Sequence, residues 1–188
     1  MDPELTYVQR VIGGDLAAFE NIVRRFQGPL INLAFRFCRD RQRAEDLAQE
    51  AFLQIYRQLP RFRGESAFST WVFAVSLNVY RSALRRRQPP VDSIEGLAEI
   101  AGGRHPFLEV TRHEREDLVR RAVAALPERY RDAVIVFYFN EMNLAETARV
   151  LGVAEGTAKA WLHRGRELLR RKLGHSFDAA TLVEGVCL

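Results

Sequence analysis

Cysteine is nearly absent: among 188 residues only Cys38 and Cys187 carry a thiol. Two thiols so far apart give neither a disulfide framework nor a metal-ligand spacing. Cys38 lies in an apolar run and reads as a core thiol, whereas Cys187, next to the last residue, reads as an exposed one. The four histidines, His105, His113, His163 and His175, fall in no ligand spacing, so no metal and no cofactor is expected. No strand pattern is present, and no glycine-rich loop follows one, so the chain is not expected to be an enzyme. No stretch approaches the ~20 apolar residues that span a bilayer. The first residues also lack a charged-then-apolar signal segment. A cytoplasmic protein without membrane insertion is expected.

What is present is helix-forming sequence with an uneven charge distribution. The chain is 47% hydrophobic, enough for one large or two small cores. Lys and Arg number 28 against 24 Asp and Glu, a net charge of +4 that permits an anionic partner without demanding one. From Arg149 to Leu173 there are seven basic and two acidic residues; from Asp92 to Asp117 there are three basic and seven acidic. A basic block beside an acidic one suggests a local nucleic-acid footprint.

Apolar residues recur at helical spacing almost throughout, so the fold class expected is all-α. Asp15 caps a helix carrying Leu16, Phe19, Ile22, Val23 and Phe26, and Gly28-Pro29 is expected to end it and start another through Leu30, Leu33, Ala34, Phe37 and Cys38. A third helix runs roughly from Arg41 to Leu59 with an inward stripe of Ala44, Leu47, Ala48, Ala51, Phe52, Ile55 and Leu59. Pro60 stops it. After a polar loop, a fourth helix runs from about Ser69 to Arg87, with Trp71, Val72, Val75, Val79 and Leu84 as its apolar positions. Pro89 to about His113 reads as a linker, with one helical turn around Ile94–Ile100. Helices resume near Glu114, with Leu118, Ala122, Val123 and Leu126 on one face. Pro127 suits the first position of the next helix, which carries Tyr130, Ala133, Val134, Phe137 and Tyr138. The boundaries expected are 1–88, a flexible linker 89–113, a second module 114–173 and a tail 174–188.

The segment from Asn143 to Arg164 reads as a helix-turn-helix. Asn143 can cap its first helix, with Glu146 placed to complete a capping box. Ala148 is small where two helices cross, and Gly152 follows where a left-handed turn is needed. In the second helix Ala158, Leu162, Gly165 and Leu169 fall on one inward face. Gly156, Lys159, Ala160, His163 and Arg164 lie on the outward side, where basic side chains can meet guanine edges or phosphates in a major groove. An ordinary helical hairpin with a solvated basic face has the same pattern. The outer face of the third helix is equally open to two readings. Asp46, Gln49, Glu50, Leu53 and Arg57 form either a solvated face or a docking face.

The run Phe62-Arg63-Gly64-Glu65-Ser66-Ala67-Phe68-Ser69-Thr70-Trp71 leads into Val75-Ser76-Leu77-Asn78, and Ala44-Glu45-Asp46-Leu47-Ala48-Gln49-Glu50-Ala51-Phe52 precedes it. Together they closely resemble the extracytoplasmic-function (ECF) sigma factors of bacterial RNA polymerase. Glu155-Gly156-Thr157-Ala158-Lys159 and His163-Arg164-Gly165-Arg166 resemble the same family's last helix. The resemblance spans about residues 5–87 and 114–173. It implies two helical domains, a sigma-2 bundle and a sigma-4 helix-turn-helix, joined by a flexible linker. It also implies an alternative sigma factor that directs promoter-specific initiation, binding the clamp helices and flap of core RNA polymerase and promoter DNA. The family's clamp-binding pattern falls on Asp46, Gln49, Glu50 and Leu53. Its −10 loop falls on Phe62, Arg63, Gly64, Ser66, Ala67, Phe68 and Ser69, with Asn78 beside it and Arg81, Arg85, Arg86 and Arg87 further along to follow phosphates. The −35 readers fall on Thr157, Lys159, Ala160, His163 and Arg164. An anti-sigma partner is expected, and a monomer when free.

The chain departs from the family pattern at Ala160-Trp161, where Ser-Arg is common, at Thr147, where an aliphatic residue is common, and at Gly165, where Ala is usual. The first shifts base reading toward Lys159, His163 and Arg164. The last costs about 1 kcal/mol of helix propensity. A conventional helix-turn-helix regulator would explain residues 144–173 equally well. It would not explain the Phe62–Asn78 stretch or the acidic face with its exposed Leu53.

Overall fold

The computed structural model describes residues 3–86, 112–140 and 142–174. Among these, every regular element is helical. The chain divides into two compact units, 1–90 and 91–188. The expected turn at 94–100, His105, His175, Arg87 and Cys187 lie outside the described residues.

The first unit holds α1 (Pro3–Ile12), α2 (Leu16–Cys38), α3 (Arg41–Gln58) and α4 (Phe68–Arg85). Asp15 caps α2 by accepting from the backbone N–H of Ala18 at 3.2 Å. Asp40 does the same for α3 through Arg43, at 3.0 Å. The whole expected α3 stripe, from Ala44 through Ile55 to Leu59, is buried. Burying a side chain the size of Ile55 stabilises the fold by roughly 1.5–3 kcal/mol. α4 lies deeper than its pattern suggests: Phe68, Val72, Phe73, Val75, Leu77 and Tyr80 are all buried. Its polar residues are satisfied within the core. Ser76 donates to the Val72 carbonyl at 2.8 Å, and Tyr80 donates its hydroxyl to the Leu30 carbonyl of α2 at 3.0 Å. Burial pushes the Tyr80 phenol above its ordinary value, which keeps it protonated as a donor.

Three expectations for this unit change. α2 does not break at Gly28-Pro29 but runs through both. Phe26 and Leu30 on either side are buried while Gly28 and Pro29 are exposed, so core packing holds the axis and water solvates the carbonyl that loses its donor. Residues 3–12, where Val8 and Val11 are the deeply buried apolar positions, form an additional helix tied to α2 by a Glu4–Arg25 ion pair. Cys38 is only half-buried, and its thiol donates to the Asp40 carbonyl at 3.3 Å. The expected stop at Pro60 appears as a single 3₁₀ turn, Leu59–Arg61.

The second unit holds α5 (Arg112–Ala124), α6 (Glu128–Phe139), α7 (Leu144–Leu151) and α8 (Glu155–Leu173). α5 begins two residues before the expected boundary. It buries Val119, Ala122 and Val123, and Leu126 follows just beyond it; Leu118 is only half-buried. Pro127 is the residue before α6 rather than its first, with its carbonyl accepting from Tyr130 and Arg131. α6 runs through the middle of the unit, with Ala133, Val134, Ile135 and Val136 all buried in succession. Asp132 is also fully buried, and Arg131 Nε lies 3.3 Å from its carboxylate.

Candidate nucleic-acid interface

The turn between α7 and α8 is built by local chemistry. Asn143 Oδ1 accepts from the Glu146 N–H at 2.9 Å, and Glu146 returns the bond to the Asn143 N–H at 2.9 Å. Thr147 is buried because its hydroxyl donates to the Asn143 carbonyl at 2.9 Å, so the expected mismatch at this position costs no unsatisfied group. α7 ends in a Schellman arrangement: Gly152 donates to Arg149 at 3.1 Å and Val153 to Ala148 at 3.0 Å. Gly152 takes φ 71°, which its missing Cβ permits.

This turn sends α8 across α6 with Ala158, Leu162, Gly165 and Leu169 buried. A Cβ on Gly165 would lie 2.9 Å from Val134 Cγ2 and 3.4 Å from the Tyr130 carbonyl oxygen. The glycine therefore permits a close helix crossing. Gly156, Thr157, Lys159, Ala160, His163 and Arg164 are all exposed, and Trp161 sits half-buried at the edge of that face. Glu167 pairs with Arg164 and, at 2.7 Å, with Arg171. The Arg164 guanidinium, with Arg171 behind it, holds the Glu167 carboxyl below its ordinary range. Glu167 is not among the residues expected at this face, although its spacing of three and four residues from two arginines is a usable signal.

In the first unit the stretch 62–67 joins the 3₁₀ turn to α4. Gly64 has φ 74°. Arg63, Gly64 and Ala67 are exposed, while Phe62, Ser66 and Ser69 are half-buried. Phe62 packs against Phe68 and Trp71, with ring centroids 5.3 Å away in each case. Phe68 is 1% exposed and also meets Phe26, so its ring anchors the loop and offers no free face. Asn78 lies ten residues along α4 from Phe68, about 15 Å along the axis. It is exposed and lines a groove between α3 and α4 with Glu50, Gln54, Gln58, Ser82 and Arg86. Arg81 is half-buried.

On α3, Asp46, Gln49 and Leu53 are exposed, Leu53 by 58%. Arg57 continues that ridge. Glu50 is half-buried on the flank toward α4, while Tyr56 on the other flank packs its ring 5.2 Å from that of Phe19. Among the described residues no cluster of His, Cys, Asp and Glu could hold a metal ion.

Residues 22–89 match Sigma-70 region 2, and residues 116–169 match Sigma-70, region 4. The chain is 34% identical to the RNA polymerase sigma-H factor of Pseudomonas aeruginosa, over 88% of this chain and 91% of that one. It is 31% identical to the ECF RNA polymerase sigma factor SigW of Bacillus subtilis, over 88% and 94%. It is 32% identical to the ECF RNA polymerase sigma-E factor of Escherichia coli K12, over 88% and 92%. Two solved structures share the fold. CnrH in complex with the cytosolic domain of CnrY has a TM-score of 0.66 at 21% identity, over 88% of this chain and 94% of that one. RpoE in complex with the anti-sigma factor NepR from Bartonella quintana has a TM-score of 0.61 at 19% identity, over 85% and 98%. The chain belongs to the ECF sigma factors of RNA polymerase and is an alternative sigma factor rather than a conventional helix-turn-helix regulator.

Proposed function

We propose that this sigma factor grips a promoter at two points while docked on core RNA polymerase. Asp46, Gln49 and Leu53 dock on the polymerase clamp helices, an exposed Leu set among polar side chains being a fitting contact for a partner helix. The second unit docks on the flap and reads the −35 element as duplex through Thr157, Lys159, Ala160, His163 and Arg164. The stretch of Phe62, Arg63, Gly64, Ser66 and Ala67, steadied by Phe68, holds unpaired −10 bases by stacking and backbone contacts, with Asn78 and Arg81 further along the strand. Energy for melting comes from base capture and polymerase contacts, with no nucleotide hydrolysis by this chain.

The observation that carries the reading is the outward side of α8. Its exposed polar and basic residues stand opposite a buried stripe that fixes the helix against α6. Such a face can lie in a major groove without disturbing the core. Free, the chain is a monomer. Two structural neighbours are complexes, one of them with a named anti-sigma factor, and a comparable inhibitor covering the Leu53 ridge is proposed here.

Arg164→Ala tests the −35 assignment. It is expected to cost roughly 1–3 kcal/mol on the preferred −35 sequence and less on variants of it. An equal loss on every −35 variant would assign Arg164 to phosphate instead.

A further inference from the structure

The outward side of α8 carries an acid among its basic residues. Glu167 stands three residues after Arg164 and four before Arg171. At about 100° per residue the three side chains leave the helix within about 60° of one another. One carboxylate oxygen of Glu167 accepts from Arg164 Nη1, and the other accepts from Arg171 Nη2 at 2.7 Å. A carboxylate on a face that meets DNA repels the phosphates which that face is suited to attract. Helix stability does not account for it, because exposed ion pairs at this spacing contribute little.

We propose that Glu167 is a positioning residue for −35 reading: it holds the Arg164 guanidinium so that its Nε–Nη2 edge meets a guanine instead of a phosphate. The proposal rests on the assignment of Arg164 to the −35 duplex above. With Nη1 turned to Glu167, Nε and Nη2 remain as two parallel N–H donors on one edge of the planar group. That edge matches O6 and N7 of guanine in the major groove. Among the described residues no other acid pairs with Arg164, so the edge is open to DNA. Arg171 steadies the carboxylate from the far side, which fixes the orienting group itself. An arginine held in this way has already lost rotamer freedom that it would otherwise lose on binding. The Arg164 hydrogen bond keeps the Glu167 carboxyl below its ordinary range, so near neutral pH it is ionised and both of its oxygens accept. A glutamine in its place has one acceptor oxygen and an NH₂ group that faces donors with donors, so it cannot bridge the two arginines.

The test uses full-length protein with core polymerase and a promoter library randomised across the −35 element, with initiation read for every base at every position. Arg164→Ala locates the position at which Arg164 prefers guanine. There, Glu167→Gln is expected to lower the guanine preference about tenfold. Initiation from promoters with a scrambled −35 element should stay within about twofold or rise, because a charge that repels phosphate has gone. In an Arg164→Ala background, Glu167→Gln should change the preference no further. An unchanged guanine preference for Glu167→Gln would overturn the proposal, and so would a stronger one, which would make Glu167 a competitor of DNA for Arg164. A further drop in the Arg164→Ala background would also overturn it, as would a uniform loss on every promoter, the mark of a helix merely weakened. If Arg164→Ala itself shows no position-specific loss, the base-reading assignment fails and takes the positioning role with it.

Discussion

Gly165 and Gly156 stand nine residues apart on one helix, and their substitutions should move stability in opposite directions. At Gly165 an added methyl would press on Val134, a stiff β-branched side chain, at 2.9 Å. Overpacking of that kind costs about 1–3 kcal/mol, against a propensity gain of about 1 kcal/mol, so Gly165→Ala should lower the stability of the second unit. A methyl on Gly156 would meet nothing within 4 Å, so Gly156→Ala should raise stability by up to about 1 kcal/mol. Urea unfolding of the two variants checks both signs, and a stabilised Gly165→Ala would mean that α6 and α8 can part without cost. Glu167 gives a second prediction. Its pKa is lowered in the fold, so its pairing with Arg164 and Arg171 is complete above the ordinary glutamate range and lost as pH falls through the lower folded value. An NMR titration should find this carboxyl below an exposed glutamate, and Arg164→Ala should return it toward the ordinary value. The residues on α8 are legible in the sequence because helical spacing sorts inward from outward. The place of Asn78 is not, because spacing names a face without naming the neighbour opposite it, and here that neighbour is the Glu50 row of α3.

α2 shows where element boundaries escape the sequence. Gly28-Pro29 has the local signature of a break, yet Phe26, Leu30 and Leu33 are buried on one continuous side and the helix persists. Packing outweighs a local penalty of about 3 kcal/mol for proline in a helix interior. Pro29→Ala restores a donor for the Arg25 carbonyl at an exposed position. It should therefore raise the unfolding midpoint of the first unit, by as much as about 3 kcal/mol in stability. A lowered midpoint would show that the proline is needed for the path of α2. α1 escapes the sequence for the opposite reason: ten residues with few deeply buried apolar positions carry a weak periodic signal, and the Glu4–Arg25 ion pair that helps seat them joins separate helices. The α7–α8 turn, in contrast, is readable in advance. Its capping box and left-handed glycine are encoded within ten residues, so they depend little on the rest of the fold.

At the scale of the whole chain, each unit has its own core, and the surfaces proposed for polymerase and the −10 strand lie on one while the −35 face lies on the other. Among the described residues no helix is long and apolar enough to cross a membrane. The family is legible in the sequence because three motifs stand in order across both units, whereas the helix-turn-helix alone leaves a conventional regulator equally possible. The central claim, that this chain confers promoter choice on polymerase through both units together, is tested most directly by in vitro transcription with bacterial core polymerase on genomic fragments from the source organism. The account predicts discrete start sites only when the protein is added, with little duplex binding by the protein alone. Tight operator-like binding without polymerase, and no promoter-specific initiation on any fragment with it, would contradict the account.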